Sequence, residues 1–186
     1  MQLPPGITED DLIRQCKNGD LKHLEMLYKH FYGYAMGIGL RYCVSRDDAL
    51  EVVNDSFIKL FNSIGQYSFD KPFKAWLRRI IVNTAIDKYR KDKKHLWNED
   101  LEMAEHIGHN ATVIEQLNAR DILNMLDKLP ELHRMVFNLY EIDGYSHDEI
   151  ANILLIPASS SRVYLTRGKE KLRELINKAE YNERRI

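Results

Sequence analysis

The stretch Ser146-His147-Asp148-Glu149-Ile150-Ala151-Asn152-Ile153-Leu154-Leu155-Ile156-Pro157-Ala158-Ser159-Ser160-Ser161-Arg162-Val163-Tyr164-Leu165-Thr166-Arg167-Gly168 decides the fold. Ser146 and Glu149 have the S-x-x-E spacing of a capping box, in which each side chain satisfies a backbone N–H at the start of a helix. The apolar residues Ile150, Ala151, Ile153 and Leu154 follow at once, and Leu155-Ile156-Pro157 interrupts them. Proline cannot continue a helix but sits comfortably in the first turn of the next, so a second helix is predicted from Ala158. In that helix Ser161, Leu165, Gly168, Leu172 and Ile176 form an inward face, while Ser160, Arg162, Tyr164, Arg167 and Lys171 offer hydroxyls and cations. Such groups bond to phosphates and to base edges in the major groove. Two short helices with a tight turn, the second bearing that face, predict a helix-turn-helix. The alternative for the same pattern is an amphipathic hairpin with a solvated charged surface.

Upstream of this motif the pattern stays helical. Ile122, Leu123, Leu126 and Leu129 lead to Pro130, and Leu132, Val136, Leu139 and Tyr140 then share a face that ends near Gly144, the helical pattern having resumed at Val113. In the first half, Thr8 with Asp11 caps a short helix carrying Leu12, Ile13 and Cys16. A longer stripe runs from Leu21 to Met36, where Gly33, Gly37 and Gly39 weaken its end or allow close packing. Ser45 with Asp48 caps a third stretch holding Ala49, Leu50, Val53, Phe57, Ile58, Leu60 and Phe61. After a loop from Ser63 to Lys71, Pro72 opens a fourth helix with Phe73, Trp76, Leu77, Ile80, Ile81 and Ala85 on its buried side, making four helices by about Lys93. Periodicity fades from His95 to about Ala111, which predicts a linker of low intrinsic order. No useful length of strand-like alternation occurs. The expected fold is all-α: two small helical domains, residues 8–94 and 115–181, joined by an acidic linker over 95–114.

The 186 residues are 44% hydrophobic and 30% charged, the composition of an ordinary globular protein. No apolar run approaches the ~20 residues needed to cross a bilayer, and the first residues lack a basic segment followed by an apolar one, so no membrane insertion and a cytoplasmic protein are expected. Cys16 and Cys43 have neither CxxC spacing nor the density of a disulfide framework. The net charge of −1 conceals segregation: Lys71 to Lys94 holds nine Lys/Arg against two acids, Arg162 to Arg185 eight against four, and Asn98 to Asp127 seven acids against one Arg. Two anion-binding surfaces flank a segment that is not one. His106 and His109 near Glu105 invite a metal reading, but HxxH there lacks a firm helix and an obvious third ligand. No phosphate loop or nucleophile motif is present, and no catalytic residue, metal or cofactor is expected.

The segment from Leu129 to Leu175 resembles region 4 of sigma-70-type sigma factors, through Leu129-Pro130, Gly144-Tyr145-Ser146, Glu149-Ile150-Ala151, Ile156-Pro157, and Arg167 to Arg173. It departs at Leu155, where glycine is usual, and at Ser161, where valine is common. Leu155 should need a less left-handed backbone or carry strain, and Ser161 should weaken the inward face. Phe73 to Asn83, with Asp87 and Arg90, resembles the W-L-x-x-I-x-x-N-x-x-x-D-x-x-R run of sigma region 2. Asp47 to Glu51 and Asn54 to Phe57 resemble its region 2.2 helix, with Asn54 where glutamine is usual. The order and spacing are similar to those of the compact extracytoplasmic-function (ECF) group.

That resemblance implies a protein that guides core RNA polymerase to promoters, region 2 engaging and melting the minus-10 element and region 4 binding the minus-35 element. It implies that the helix from Asp48 to Phe61, with Asp48, Glu51, Asn54, Asp55 and Phe57, docks on the beta-prime clamp helices, that region 4 meets the beta flap, and that an anti-sigma factor is a partner. The expected minus-35 contacts are Ser160, Arg162, Tyr164, Arg167 and Lys171. A basic helix beside an aromatic loop can track phosphate and hold an unstacked base. The expected minus-10 contacts are therefore Tyr67, Ser68, Phe69, Asp70 and Lys71 in the loop and Lys74, Arg78, Arg79, Asn83, Lys88 and Arg90 on the helix. Trp76 with Ile80 sits on the apolar stripe and reads as core in preference to a base-stacking platform, Phe69 reads also as a loop anchor, and Asn83 reads equally as a partner of buried backbone. The acids Glu99, Asp100, Glu102 and Glu105 suggest a segment that mimics nucleic-acid charge inside polymerase. The competing function is a helix-turn-helix regulator that does not join polymerase.

Overall fold

The computed structural model describes residues 3–4, 6–98 and 119–183, with side-chain surroundings for 3–4, 6–93 and 123–178. The described residues form eight α-helices and no strand, and the chain divides into two compact units, Met1–Tyr89 and Arg90–Ile186. The expected linker begins inside the fourth helix, which continues to Asn98 because Lys, Arg and Leu are good helix formers and neither Gly nor Pro intervenes. The acidic residues Glu99, Asp100, Glu102 and Glu105, the pair His106 and His109, and the helical restart at Val113 lie outside the described residues.

Unit 1 starts with α1 (Glu9–Lys17), where Thr8 and Asp11 complete the predicted capping box. Asp20 caps α2 (Leu21–Tyr42) by accepting from the N–H groups of Lys22 and His23, and Ser45 caps α3 (Arg46–Ser63) by accepting from Asp48. A 3-10 turn (Ile64–Gln66) leads to the loop before α4 (Phe73–Asn98). The core gathers Leu12 and Ile13 from α1, Leu27, Phe31 and Ala35 from α2, Val53, Phe57 and Leu60 from α3, and Leu77 and Ile81 from α4, all essentially inaccessible. Gly39 permits close packing, since a Cβ there would stand 3.2 Å from the Ala49 carbonyl oxygen, whereas at Gly33 and Gly37 a Cβ would meet nothing within 4 Å; α2 continues through all three to Tyr42.

The face of α3 is rotated from the expected one. Val52 and Ser56 are buried, whereas Leu50 and Ile58 are 38% and 57% exposed. A serine fits inside because its hydroxyl donates to the Val52 carbonyl at 2.6 Å, leaving no polar atom unsatisfied. Ion pairs bind α3 to α4: Lys88 Nζ lies 3.1 Å from Asp48 and 2.8 Å from Glu51, and Lys59 lies 3.1 Å from Asp87.

Unit 2 contains α5 (Ala119–Leu126), α6 (Glu131–Phe137), a π turn (Asn138–Ile142), α7 (His147–Leu154) and α8 (Ala158–Glu183). Its core is Leu126, Leu129, Met135, Val136, Leu139, Ile150, Leu154 and Leu165. Gly168 is buried where α8 faces α6, and a Cβ there would make ordinary contact with His133 at 3.7 Å. Arg134 is buried at 1% exposure and pairs with Asp127 at 2.8 Å. Gly144, at φ +76, turns the chain from the π turn toward α7 in a conformation only glycine adopts freely.

Candidate nucleic-acid interface

The helix-turn-helix is built as the local sequence dictates. The Ser146 hydroxyl accepts from the Glu149 N–H, and the Glu149 carboxylate accepts from the Ser146 N–H at 2.8 Å. The Ser146 N–H foremost, and then the Ser146 hydroxyl, which donates to the same carboxylate at 2.8 Å, hold the Glu149 carboxyl below its ordinary pKa. At the other end of α7, Leu155 takes the left-handed conformation, φ 54 and ψ 45, with its side chain 79% exposed. The backbone is therefore fully left-handed, and leucine carries the strain of a position suited to glycine. The Pro157 carbonyl then accepts from the Ser161 N–H at 3.1 Å, starting α8.

Ser161 is completely buried, with Oγ 2.9 Å from Nδ1 of His147, whose ring stacks on Tyr140 at 4.4 Å and 22°. The expected weak spot on the inward face is thus a directional link between α7 and α8. Burial, aided by the Arg162 charge and opposed by Asp148, holds His147 below its ordinary pKa. His133, against α8, is lowered by burial and by Arg167.

Of the expected minus-35 contacts, Arg162, Arg167 and Lys171 are exposed, Lys171 pairing with Glu174 at 3.3 Å. Ser160 is half-buried, and Tyr164 leans inward to meet the His133 ring at 5.1 Å. At about 100° per residue, Tyr164 lies only about 60° from Ser161 around α8, whereas Ser159, Val163 and Thr166 lie nearly opposite. These three are exposed beside Arg162, and an outward face picked by residue chemistry instead of by rotation from Ser161 does not include them.

In unit 1 the loop before α4 is closed from within. Tyr67 is 5% exposed, its ring lies within 5.3 Å of those of Phe69, Phe73 and Trp76, and its hydroxyl donates to the Lys71 carbonyl at 2.6 Å. Tyr67 therefore anchors the loop and corrects the expectation of a nucleic-acid contact. Phe69 is 40% exposed, and the Ser68 hydroxyl donates to the Asp70 carboxylate. Beside them opens a cleft of about 400 Å³, walled by Glu9 and Asp10 of α1, Tyr67, and residues 69–74.

Along α4, Lys74, Arg79, Asn83 and Arg90 are exposed, and Arg78, Trp76 and Ile80 are half-buried. Exposure of Asn83 removes its alternative role among buried groups. Lys88 is a second correction: its ammonium is held by Asp48 and Glu51, with its side chain only 19% exposed, so it braces α3 on α4. Burial acts against ionisation of Asp48, but the Ser45 hydroxyl and the Lys88 ammonium outweigh it and leave that carboxyl below its ordinary pKa.

The expected polymerase contacts divide in the same way. Asp48 and Glu51 face Lys88, Asn54 accepts from the Tyr28 hydroxyl at 3.0 Å, and Asp55 is exposed. Phe57 is 1% exposed, packed on Tyr28 at 4.7 Å, and is a core residue and not a surface contact. Leu50 and Ile58 flank Asn54 at four-residue steps and are exposed, so the apolar surface on this side of α3 is theirs and not that of Phe57. Among the described residues no group of His, Cys, Asp and Glu could hold a metal ion, and no helix is long and apolar enough to cross a membrane.

Two helical units, one presenting a basic helix beside an aromatic loop and the other a helix-turn-helix, define an all-α protein with two faces suited to nucleic acid. Residues 27–95 match the family model for Sigma-70 region 2, and residues 119–172 that for Sigma-70, region 4. The chain is 30% identical over 182 residues to the ECF RNA polymerase sigma-E factor of Haemophilus influenzae, covering 91% of this chain and 96% of that one. It is 28% identical to the sigma-E factor of Salmonella typhimurium, over 89% and 93% of the two chains, and 27% identical to that of Escherichia coli K12 over the same shares. It belongs to the ECF group of RNA polymerase sigma factors, and its function is that of a sigma factor in transcription initiation. The sigma factor RpoE of Bartonella quintana, solved in complex with the anti-sigma factor NepR, shares the fold with a TM-score of 0.55 at 19% identity, over 84% of this chain and 98% of that one.

Proposed function

We propose that this chain joins core RNA polymerase in the cytoplasm and carries it to promoters, residues 8–94 engaging polymerase and the minus-10 element and residues 115–181 the minus-35 element. One observation carries the reading: regions 2 and 4 both match, in order, along one chain whose two units each present an exposed cationic face. Catalysis belongs to the polymerase. On the minus-35 side, Arg162 and Arg167 meet phosphates and base edges, with Ser159, Val163 and Thr166 beside them; the exposed Val163 methyls suit a thymine methyl. On the minus-10 side, Arg79 and Asn83 track the backbone while Phe69 and the neighbouring cleft receive an unstacked base. Leu50, Asn54 and Ile58 form the contact with the beta-prime clamp helices, and region 4 meets the beta flap. The acidic segment over 95–114 takes the place of nucleic acid inside polymerase.

The structural relative's complex with an anti-sigma factor supports a partner of that kind here, covering the apolar side of α3. Purified chain added to core polymerase should give promoter-specific initiation from a template that core alone ignores. Binding to DNA with no effect on core initiation would reject this reading in favour of a regulator that does not join polymerase. Sequencing the transcripts would report both promoter elements together.

A further inference from the structure

We infer that α1 sets the conformation of the minus-10 loop, with Lys17 and Arg14 as positioning residues, because Lys17 bonds the loop backbone and both cations hold the Phe69 ring. The inference rests on the reading that this loop receives an unstacked base. Lys17 Nζ donates to the Tyr67 carbonyl at 2.6 Å, where the chain leaves the 3-10 turn. The same ammonium lies 5.3 Å from the Phe69 ring centre, and the Arg14 guanidinium carbon 5.1 Å from it. A ring 40% exposed on a loop would turn freely between rotamers; here the two cations and the edge of Tyr67, at 5.2 Å, hold it.

The lever itself is stiff. Leu12, Ile13 and Cys16 root α1 in the core, and the Thr8 capping box fixes its first turn. Glu9 extends the brace to the start of α4, lying 3.7 Å from Lys74 and 2.9 Å from His30 of α2. Yet α1 precedes residues 27–95, the span matched to region 2, so that match assigns it no part in the site. Lys17 and Arg14 act on base selection through Phe69, which makes them positioning residues. A charge-assisted bond to a carbonyl and a clamped ring are interactions whose loss moves the loop without unfolding the core.

The test uses holoenzyme reconstituted with the full chain and a set of duplex templates differing by single bases in the minus-10 element. The readout is the ratio of initiation rates between the best and the mismatched templates. Lys17→Met is expected to lower this ratio about five-fold, with Lys17→Arg retaining most of it and the exposed Arg14→Gln showing a smaller loss in the same direction. Thermal unfolding of all three should stay near that of the parent, since a merely structural loss would slow every template alike. A ratio unchanged in Lys17→Met, or an equal loss on all templates, would overturn the inference. Phe69→Ala separates the two levels: if it alone lowers the ratio, the loop reads the base but α1 does not position it, and if it leaves the ratio unchanged, the loop reading fails and the inference with it.

Discussion

Leu155 is the one non-glycine residue with positive φ among the described residues, and exchanging it gives a test whose sign can be worked out beforehand. An L-residue in the left-handed region costs about 1–2 kcal/mol relative to its right-handed alternative. Glycine does not carry that strain but loses more freedom on folding, which offsets about 0.4–1 kcal/mol. The side chain is 79% exposed, so trimming it to alanine or to glycine removes nearly the same small amount of burial. Leu155→Gly should therefore be more stable than Leu155→Ala by about 1 kcal/mol, the reverse of their order inside a helix, where glycine is the worse by a similar amount. Native-state hydrogen exchange on the amides of α7 and α8 in the full chain reads this directly as about five-fold slower exchange in the glycine variant. If Leu155→Ala equals or exceeds Leu155→Gly, the turn is not strained and the left-handed backbone contributes nothing to the position.

Three further outcomes follow from placements in the structure. Phe57→Ala should destabilise unit 1 by about 3–5 kcal/mol, whereas Ile58→Ala should change stability by less than about 0.5 kcal/mol and weaken binding to core polymerase; denaturant unfolding and a polymerase-binding titration separate them. Lys88→Ala should leave the salt dependence of promoter binding nearly unchanged, because Asp48 and Glu51 already hold that cation, while Arg79→Ala should reduce the slope by about one; binding isotherms across a salt series decide. His133 and His147 have native pKa values below their ordinary 6.5, so the unfolded state takes up protons more readily. Stability of unit 2 should be full above pH 6.5 and fall as pH drops through the lowered values, and His147→Gln should flatten part of that fall in unfolding measured down to about pH 5.

What could be read in the sequence was local, and what could not was the facing of one element on another. Capping boxes at Thr8 and Ser146 act over three residues and lie where the pattern put them, as do the break at Ile156-Pro157 and the all-helical content. The rotation of α3 depends on α2, so a stripe through Leu50 and Ile58 looked as sound as the real one through Val52 and Ser56. Lys88 lies in a basic run in the sequence, and its partners Asp48 and Glu51 stand about forty residues earlier, where no local pattern links them to it. Tyr67 belongs to the loop by sequence, while its partners Phe73 and Trp76 come from the next helix, so its burial has no local signal. On α8, by contrast, the outward residues follow from Ser161 by rotation alone, and Ser159, Val163 and Thr166 were legible in principle.

The two departures from the sigma pattern in the helix-turn-helix change what holds its geometry. Valine at position 161 would join α7 to α8 through apolar contact, which is non-directional and tolerates small shifts. Ser161 instead meets His147, and the ring of His147 is itself fixed by stacking on Tyr140 from the π turn. A hydrogen bond weakens steeply with angle, so this chain of contacts specifies the crossing of the two helices more narrowly than burial would. Leu155 acts at the other end of α7, where an unfavoured conformation persists only if both flanking helices are held independently. The Ser146 capping box and the His147–Ser161 bond secure α7 from its first turn, and the inward contacts of Leu165 and Gly168 secure α8. The turn thus follows the helices it joins, and Arg162 and Arg167 are presented by a framework whose orientation does not depend on the residue at the turn.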